Sequence, residues 1–522
     1  MSNLPYLKKE GKFTRLYVDG KPFTALSGEL HNSSSSSLRY MEERVWPSLR
    51  PLGMNSVILP IYWECLEPEE GKFDFALVDG IIEQADREGM KLILLWFGLW
   101  KNGMSTYIPQ WMKLDCEKYF YAHDKFGRPI PCISPLCDAA VAADAAAYAI
   151  LMKHIREVDG EKNTVIMMQA ENEIGILGSS RDFSDIANTL FNSSLPENVA
   201  KEYGVIGNWN ALGGEADELF MAYHYARAVE KIISRGKEEH PIPMFVNAWI
   251  DQFPAYAGKY PQGGPVAKVA RMWKLNAPSV EAYAPDIYIE SYRDVCDEYA
   301  AIEGNPLCIP EVRASKDTVP FLLYAIGKHN TICFSPFGIE ELFQQNAERM
   351  SSDVMSLLNI SSAAMSHNPA VGGALARAYK MLGNMTSIIN KAHDEGKIKA
   401  FLQYNELGTV LDYKNYEIKI SYGSSSGYYF SPSAGGADNS PKAGGFIIEL
   451  SDNEFIFVGV SCRFEITSKS KEPKMTANLL KQEGVFENNV WMPGRILNGD
   501  EGYLMRFGEM LEINRLSVYE LK

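Results

Sequence analysis

Two glutamates at the ends of strand-like runs are the strongest candidates for chemistry in this sequence. Glu173 follows the apolar run Thr164–Ala170, and Glu311 ends the run Leu307–Glu311. Two carboxyls held about 5–5.5 Å apart can hydrolyse a glycosidic bond with retention, one as nucleophile and the other as acid and then base. A lone Asn-Glu is a weak motif in an acidic chain, so the hypothesis depends on both glutamates lying at strand ends.

The elements that would position this pair are predicted between residues 21 and 337, where short apolar runs alternate with longer helical patterns. This alternation is typical of a (β/α)8 TIM barrel, an α/β fold. The eight predicted strands are Ala25–Leu30, Ser56–Trp63, Lys91–Phe97, Thr164–Ala170, Met244–Ile250, Glu281–Tyr288, Leu307–Glu311 and Thr331–Ser335. Reactive groups of such a barrel lie where its strands end. Strands four and seven face each other across the barrel mouth, so we expect Glu173 and Glu311 to converge.

The pattern changes after the barrel and predicts two further segments. Residues 1–338 are predicted to form the catalytic barrel, residues 339–396 a helical connection, and residues 397–522 a smaller C-terminal all-β domain with a sandwich-like fold. The β-domain is indicated by strand alternation in segments such as 455–467. Within the barrel, the Ala-rich stretch Asp138–Val158 has a strong helix propensity, and we interpret its aspartates as a solvated face.

Composition narrows the class of partner. The 522 residues carry a formal charge of −15, with 51 Lys and Arg against 66 Asp and Glu, which argues against nucleic acid and anionic membranes. The amino terminus lacks a signal-peptide pattern, and no apolar run reaches the length of a membrane helix, so we expect a cytoplasmic protein. The eight cysteines show no metal-binding spacing, and we predict neither a metal nor an organic cofactor. Homo-oligomerisation is left open.

Three segments together resemble a known family. They are Ser27-Gly28-Glu29-Leu30-His31, the stretch WECLEPEEGKFDF at 63–75, and QAENEIG at 169–175. The chain resembles the glycoside hydrolase clan whose acid/base follows an Asn on strand four and whose nucleophile ends strand seven. Within that clan it is similar to the β-galactosidases of family 35, in particular a bacterial branch with an extra C-terminal β-domain.

The resemblance covers residues 21–337 and implies an activity with assigned roles. The implied enzyme is a retaining, exo-acting glycoside hydrolase that releases a terminal β-linked sugar, with a β-galactoside or related oligosaccharide as its substrate. Glu173 would be the acid/base and Glu311 the nucleophile. Two departures concern the sugar subsite: Glu64 replaces an expected Asn, and Trp96–Gly103 replaces an Ala-Glu-Trp segment. The mechanism is therefore better supported than the identity of the sugar.

The other candidate site residues have individual roles. Asn172 is implied to bind the sugar 2-hydroxyl, and Tyr288 is expected to donate a hydrogen bond to the nucleophile and keep it ionised. The remaining candidate sugar contacts are His31, Glu64, Trp100, Lys101, Asn102 and Trp249, the tryptophans as stacking surfaces. Packing is the alternative for His31, for Tyr288 and for each tryptophan, and a local turn or backbone role is the alternative for Asn172.

Glu171 is the main rival of Glu173 for the role of acid. It lies two residues earlier and would share the same side of a regular strand. We interpret it as a structural residue paired with an arginine.

Three alternative functions are weighed against this hypothesis. The first is a retaining β-glycosidase for another sugar, such as a glucoside, fucoside or xyloside. The second is a catalytically silent barrel that only binds carbohydrate. The third is a metal-dependent barrel enzyme such as an enolase relative, which would need three carboxylates on successive strand ends and a lysine base. That last pattern is not found in the sequence.

Overall fold

Eight parallel strands form the centre of the molecule. A computed structural model describes residues 4–252, 255–343, 369–404, 406–422, 441–470, 475–503 and 505–521. Barrel strands 1 to 8 are Ala25–Leu26, Ser56–Tyr62, Lys91–Lys101, Val165–Asn172, Met244–Trp249, Ala282–Ile287, Cys308–Val312 and Cys333–Pro336. Hydrogen bonds from Ile58 N–H to the Gly28 carbonyl and from Leu30 N–H to the Ile58 carbonyl join strands 1 and 2 and close the barrel. The predicted (β/α)8 fold is confirmed.

Helices connect the barrel strands. Those of seven or more residues are Ala76–Glu88, Asp138–Asp159, Asp185–Asn192, Glu197–Tyr203, Ala216–Glu239, Ala270–Asn276, Tyr292–Ala301 and Thr318–His329. Gly89 ends the first of these with φ 68°, a left-handed conformation that glycine adopts without steric cost. The interpretation of the Asp138–Asp144 aspartates as a solvated face is wrong for Asp144, which is fully buried.

Apolar side chains fill the inside of the barrel. Ile58, Leu95, Phe245 and Cys333 belong to one buried cluster that draws on strands all around the barrel. A three-stranded antiparallel sheet, Tyr6–Glu10, Phe13–Val18 and Lys21–Phe23, adds Leu16 and Val18 to the same cluster. This sheet is not predicted from the sequence, and its Asp19 contacts Lys91 and Asn163 at the amino ends of strands 3 and 4.

Two helices and two antiparallel sheets follow the barrel. The helices are Pro369–Gly383 and Thr386–Asp394; of the predicted helical connection, residues 344–368 lie outside the described part of the chain. One sheet contains Ile398–Leu402, Gly444–Ser451, Glu454–Val460, Glu512–Leu521, Met475–Glu487 and Val490–Ile496, in that order. The other contains Gly408–Asp412, Tyr416–Tyr422, Cys462–Ser468 and Arg506–Phe507.

The larger β-sheet and the helix Pro369–Gly383 both pack directly on the barrel. A Cβ on Gly327, in the last barrel helix, would lie 2.6 Å from the Cβ of Phe446 in the larger sheet. The Tyr379 hydroxyl donates to the Ser27 carbonyl on strand 1 at 2.6 Å. None of the described helices combines the length and apolar character that a membrane crossing requires.

Candidate active site

Three carboxylates converge at the carboxyl ends of the barrel strands. Glu173 follows strand 4, Asp286 lies near the end of strand 6, and Glu311 lies in strand 7. One carboxylate oxygen from each lies within 4.8 Å of the other two. All three side chains are buried, Glu173 and Glu311 being 6% and 5% exposed. The structure therefore brings together the two glutamates that the sequence singled out, and it adds Asp286.

Neutral donors surround Glu311. The Tyr288 hydroxyl donates to Oε2 at 2.8 Å, and the Asn172 side-chain amide donates to Oε1 at 3.4 Å. Burial and the neighbouring Glu311 carboxylate raise the pKa of Tyr288 well above its ordinary value, so the phenol stays protonated and remains a donor. Glu311 thus accepts a hydrogen bond from a neutral group at each of its carboxylate oxygens.

Glu173 is held from its backbone and kept protonated by its surroundings. Its N–H donates to Asn247 Oδ1 at 2.9 Å, and Asn247 Nδ2 donates to Asp286 Oδ2 at 2.7 Å. Burial and the charge of Glu311 raise the pKa of Glu173 to about 8, against the opposing charge of Lys101. A carboxyl that keeps its proton at neutral pH can act as an acid.

Strand 4 leaves the barrel through two left-handed residues. Glu171 has φ 61° and Glu173 has φ 47°, which is unusual for residues with a Cβ. This backbone sends the two side chains to different places, contrary to the expectation from regular strand alternation. Glu171 accepts hydrogen bonds from the backbone of strand 3 and contacts Asp144, not an arginine as predicted. It is therefore separated from the Glu173 cluster.

The end of strand 3 and the residue after it lie close to the same three carboxylates. Strand 3 loses regular register between Trp96 and Lys101, and Lys101 then pairs with Asn172. The buried Lys101 ammonium donates to Asn172 Oδ1 at 2.8 Å. Asn102, at φ 52°, donates its backbone N–H to the Asn172 carbonyl at 3.1 Å. Both residues are thus placed beside the residue that precedes Glu173.

Two other predicted contacts lie at the barrel mouth with partners of their own. The Lys113 ammonium donates to Glu64 Oε2 at 2.9 Å, and both side chains are about one-third exposed. His31 Nε2 lies 3.2 Å from Glu341 Oε2. Burial lowers the pKa of His31, but the carboxylates of Glu341 and Glu340 outweigh it and raise that pKa above its ordinary value. The structure does not bring Glu64 or His31 into contact with the three carboxylates.

The two candidate sugar-stacking tryptophans, Trp100 and Trp249, differ in burial and in contacts. Trp100 is fully buried, its indole N–H donates to the Ile133 carbonyl at 3.0 Å, and its ring packs edge-on against Tyr225. The prediction that Trp100 stacks on a sugar is wrong, because the strand 3 bulge turns this side chain into the core. Trp249 ends strand 5 half-buried, paired in register with Asp286, and keeps its candidate role.

Sequence reasoning missed three polar residues that face the site. Asp286 and Asn247 are described above. Glu29, on the strand 1 side, is buried with neither carboxylate oxygen hydrogen-bonded. Burial and the charge of Glu311 raise the pKa of Glu29 and of Asp286 well above their ordinary values. Strand alternation could have identified Asp286 and Asn247. Each precedes a selected residue, Tyr288 or Trp249, by two positions, and residues two apart on a strand lie on the same side.

The same three carboxylates are the group, among the residues that the structure describes, that could hold a metal ion. They lie on strands 4, 6 and 7, with Asn247 on strand 5, so they do not form the successive-strand set of an enolase relative. The Lys101 charge lowers the pKa of both Glu173 and Asp286, which places a cation close to them. The Lys101 ammonium disfavours the binding of a divalent cation beside it.

Comparison with known families gives two partial matches. Residues 41–212 match glycoside hydrolase family 42, described as β-galactosidase, and residues 375–508 match DUF5597, a domain of unknown function. The first match contains Glu173 but not Glu311. The resemblance to a β-galactosidase family is thus supported for part of the barrel, while family 35 itself stays a prediction.

The individual relatives either match only a short segment of the chain or have low sequence identity to it. Over 84 residues the chain is 33% identical to a β-galactosidase of Xanthomonas manihotis, which covers 16% of this chain and 14% of that enzyme. Among solved structures, the β-galactosidase of Bacillus circulans sp. alkalophilus aligns with TM-score 0.47 at 15% identity, over 70% of this chain and 57% of that one. The β-amylase catalytic domain of Paenibacillus polymyxa aligns with TM-score 0.48 at 12% identity, over 66% and 99%.

Proposed function

We propose that this chain is a retaining, exo-acting glycoside hydrolase that releases a terminal β-linked sugar, with galactose as that sugar. The observation that carries the proposal is the approach of Glu173 and Glu311 carboxylate oxygens to within 4.8 Å. With their nearest oxygens no more than 4.8 Å apart, the two carboxyls suit the close spacing of retaining enzymes, roughly 5–5.5 Å, better than the roughly 6.5–9.5 Å that leaves room for water in inverting ones. The near-complete burial of both glutamates supports a pocket for a chain end.

The mechanism divides hydrolysis into two displacements. In the first, a Glu311 oxygen bonds to the anomeric carbon, the glycosidic bond breaks, and the Glu173 proton passes to the leaving oxygen. Formation of the glycosyl ester removes the Glu311 charge that helps to raise the Glu173 pKa, so Glu173 becomes a base. In the second, Glu173 takes a proton from water, the water oxygen bonds to the anomeric carbon, and Glu311 leaves as a carboxylate.

Asn172 links the catalytic pair to the sugar. Its amide donates to Glu311 while its carbonyl accepts from Lys101. In this position it can also reach the sugar 2-hydroxyl, a contact that strengthens in the transition state of such enzymes. The choice of galactose is supported by the family 42 match over residues 41–212 and by the 84-residue match to a β-galactosidase. Glucose, fucose and xylose are the alternatives.

The test is to trap the glycosyl-enzyme. Incubation with a 2-fluoro-β-galactoside carrying a good leaving group should inactivate the protein and add the mass of one fluorosugar. Peptide mapping should place the label on Glu311, and NMR of a turned-over aryl β-galactoside should show the β-anomer released first. The corresponding glucoside, fucoside and xyloside test the choice of sugar. Release of the α-anomer, or a label on another carboxylate, would refute the mechanism.

A metal-dependent reaction is the competing function, since three carboxylates converge. Chelation followed by assay separates the two. We expect the hydrolysis rate to be unchanged after EDTA and after addition of Mg²⁺, Mn²⁺ or Zn²⁺. A large loss on chelation that one of these ions restores would favour the competing function.

A further inference from the structure

A second pair of acidic side chains, Asp144 and Glu171, is buried outside the catalytic cluster. Both are fully inaccessible to solvent. Leu99 N–H donates to Asp144 Oδ2 at 3.0 Å and to Glu171 Oε1 at 3.2 Å, so these two oxygens share one donor. The Trp96 indole N–H donates to Asp144 Oδ1 at 2.8 Å, and Trp100 N–H donates to Glu171 Oε2 at 2.7 Å.

Every hydrogen-bond donor at this site has an acceptor if Asp144 and Glu171 share one proton. Two ionised carboxylates this close in the interior would repel strongly. With the proton on Glu171, its hydroxyl donates to Asp144, its other oxygen accepts from Trp100, and the Asp144 carboxylate accepts from Trp96 and Leu99. Burial raises the pKa of Glu171 well above its ordinary value and raises that of Asp144 to about 6, which agrees with this arrangement.

The local backbone is built around this pair. At Gly98 a Cβ would lie 2.6 Å from Asp144 Oδ2, 2.6 Å from Glu171 Oε1 and 2.4 Å from Trp96 Nε1. Glycine is therefore required for the carboxyls to reach the backbone of strand 3. The register of strand 3 against strand 4 shifts in this stretch, between Trp96 and Lys101. The pair thus holds the bulge in strand 3.

The bulge determines where Lys101 lies. Trp100, fastened to Glu171 through its N–H, directly precedes Lys101, whose ammonium donates to Asn172 Oδ1. Asn172 in turn donates to Glu311. Contacts therefore run without a gap from Asp144, on the helix Asp138–Asp159, to the proposed nucleophile.

We propose that Asp144 and Glu171 form a proton-sharing carboxyl pair that positions Lys101, and through it Asn172, at the active site. Glu171 is then a positioning residue and not the acid of the reaction. This inference rests on the proposed function, because its readout is turnover. The trapping of Glu311 in the wild-type protein tests that function separately.

The substitutions Glu171→Gln and Glu171→Leu test the pair. A glutamine amide reproduces the protonated carboxyl, since its NH2 donates to Asp144 and its oxygen accepts from Trp100, whereas leucine can do neither. We expect Glu171→Gln to keep kcat for an aryl β-galactoside within about threefold of wild type. We expect Glu171→Leu to lower kcat about tenfold or more. That loss should be equal for good and poor leaving groups, because the acid is untouched.

Asp159 offers a matched control. It is also buried, and it holds two backbone N–H groups, of Thr164 and Val165 at 3.1 and 2.8 Å, at the opposite end of strand 4. Asp159→Leu should lower the melting temperature while kcat stays within about threefold. If it lowers kcat as much as Glu171→Leu does, the Asp144–Glu171 pair has only a structural role and the proposal fails.

A double-variant cycle with Lys101→Met tests the route of action. If the pair acts through Lys101, kcat of Glu171→Leu/Lys101→Met should equal that of Lys101→Met within about threefold. Losses that multiply would overturn the proposal, as would a Glu171→Gln protein as impaired as Glu171→Leu. If Glu171→Leu does not fold, Gly98→Ala replaces it in the cycle, because its added Cβ pushes the two carboxyls away from the backbone of strand 3. The double variant with Lys101→Met should then again match Lys101→Met, and losses that multiply would overturn the proposal.

Discussion

Replacing Glu173 with glutamine should change how the stability of the fold depends on pH. In the folded protein the pKa of this carboxyl is raised from 4.5 to about 8, because burial and the Glu311 charge oppose ionisation. In the unfolded chain the same carboxyl ionises near its ordinary value. Between these two pH values the folded state holds a proton that the unfolded state has released. Wild-type stability must therefore fall as the pH rises through this window.

The size of the effect follows from the shift. One pKa unit corresponds to about 1.4 kcal/mol, so the window from pH 4.5 to 8 is worth on the order of 5 kcal/mol. Glutamine has the same shape and no charge to bury, so Glu173→Gln should lack this loss. For a chain of 522 residues, about 5 kcal/mol corresponds to roughly 5 °C in melting temperature.

The assay is thermal unfolding followed by circular dichroism at pH 5 and pH 8.5. We expect the difference in melting temperature between Glu173→Gln and wild type to be larger at pH 8.5 by about 5 °C. Glu161→Gln, an exposed residue in the turn before strand 4, is the matched control and should show no such change. An equal difference at both pH values would refute the reasoning, since Glu173 would then not hold a proton in the folded protein.

Three further predictions concern activity. Glu311→Gly should abolish turnover and regain it with azide, yielding an α-glycosyl azide; a β-azide would show that Glu311 is not the nucleophile. Tyr288→Phe, which removes the 2.8 Å hydrogen bond to Glu311, should lower kcat about tenfold or more with KM little changed; an unchanged kcat would contradict a role in holding the nucleophile. Asn102→Ala, and Glu64→Ala in which Lys113 loses its partner, should narrow the galactoside-to-glucoside ratio of kcat/KM by more than twofold; ratios that stay within about twofold would show that specificity lies elsewhere.

The order of apolar runs was enough to predict the barrel and the approach of its two glutamates. The short apolar runs predict the strands, and a glutamate follows or ends the runs of strands four and seven. The barrel topology then dictates that these two strand ends meet. Tyr288 follows from the same rule, one position after strand 6, and its hydroxyl does lie against Glu311. These inferences need only local periodicity and a regular fold.

The sequence-based predictions for Glu171 and Trp100 are wrong because the backbone is irregular at these positions. The left-handed residues Glu171 and Glu173 and the bulge after Trp96 break the period of two. Alternation therefore assigned Glu171 to the wrong side, and the position of Trp100 near a strand end wrongly assigned it to the sugar. Such irregularities are stable only because distant groups hold them: the Asp144 carboxylate from a helix accepts the hydrogen bond of a strand 3 backbone N–H. Contacts between residues far apart in sequence, made once the chain is packed, are decided by the tertiary structure and leave no local pattern.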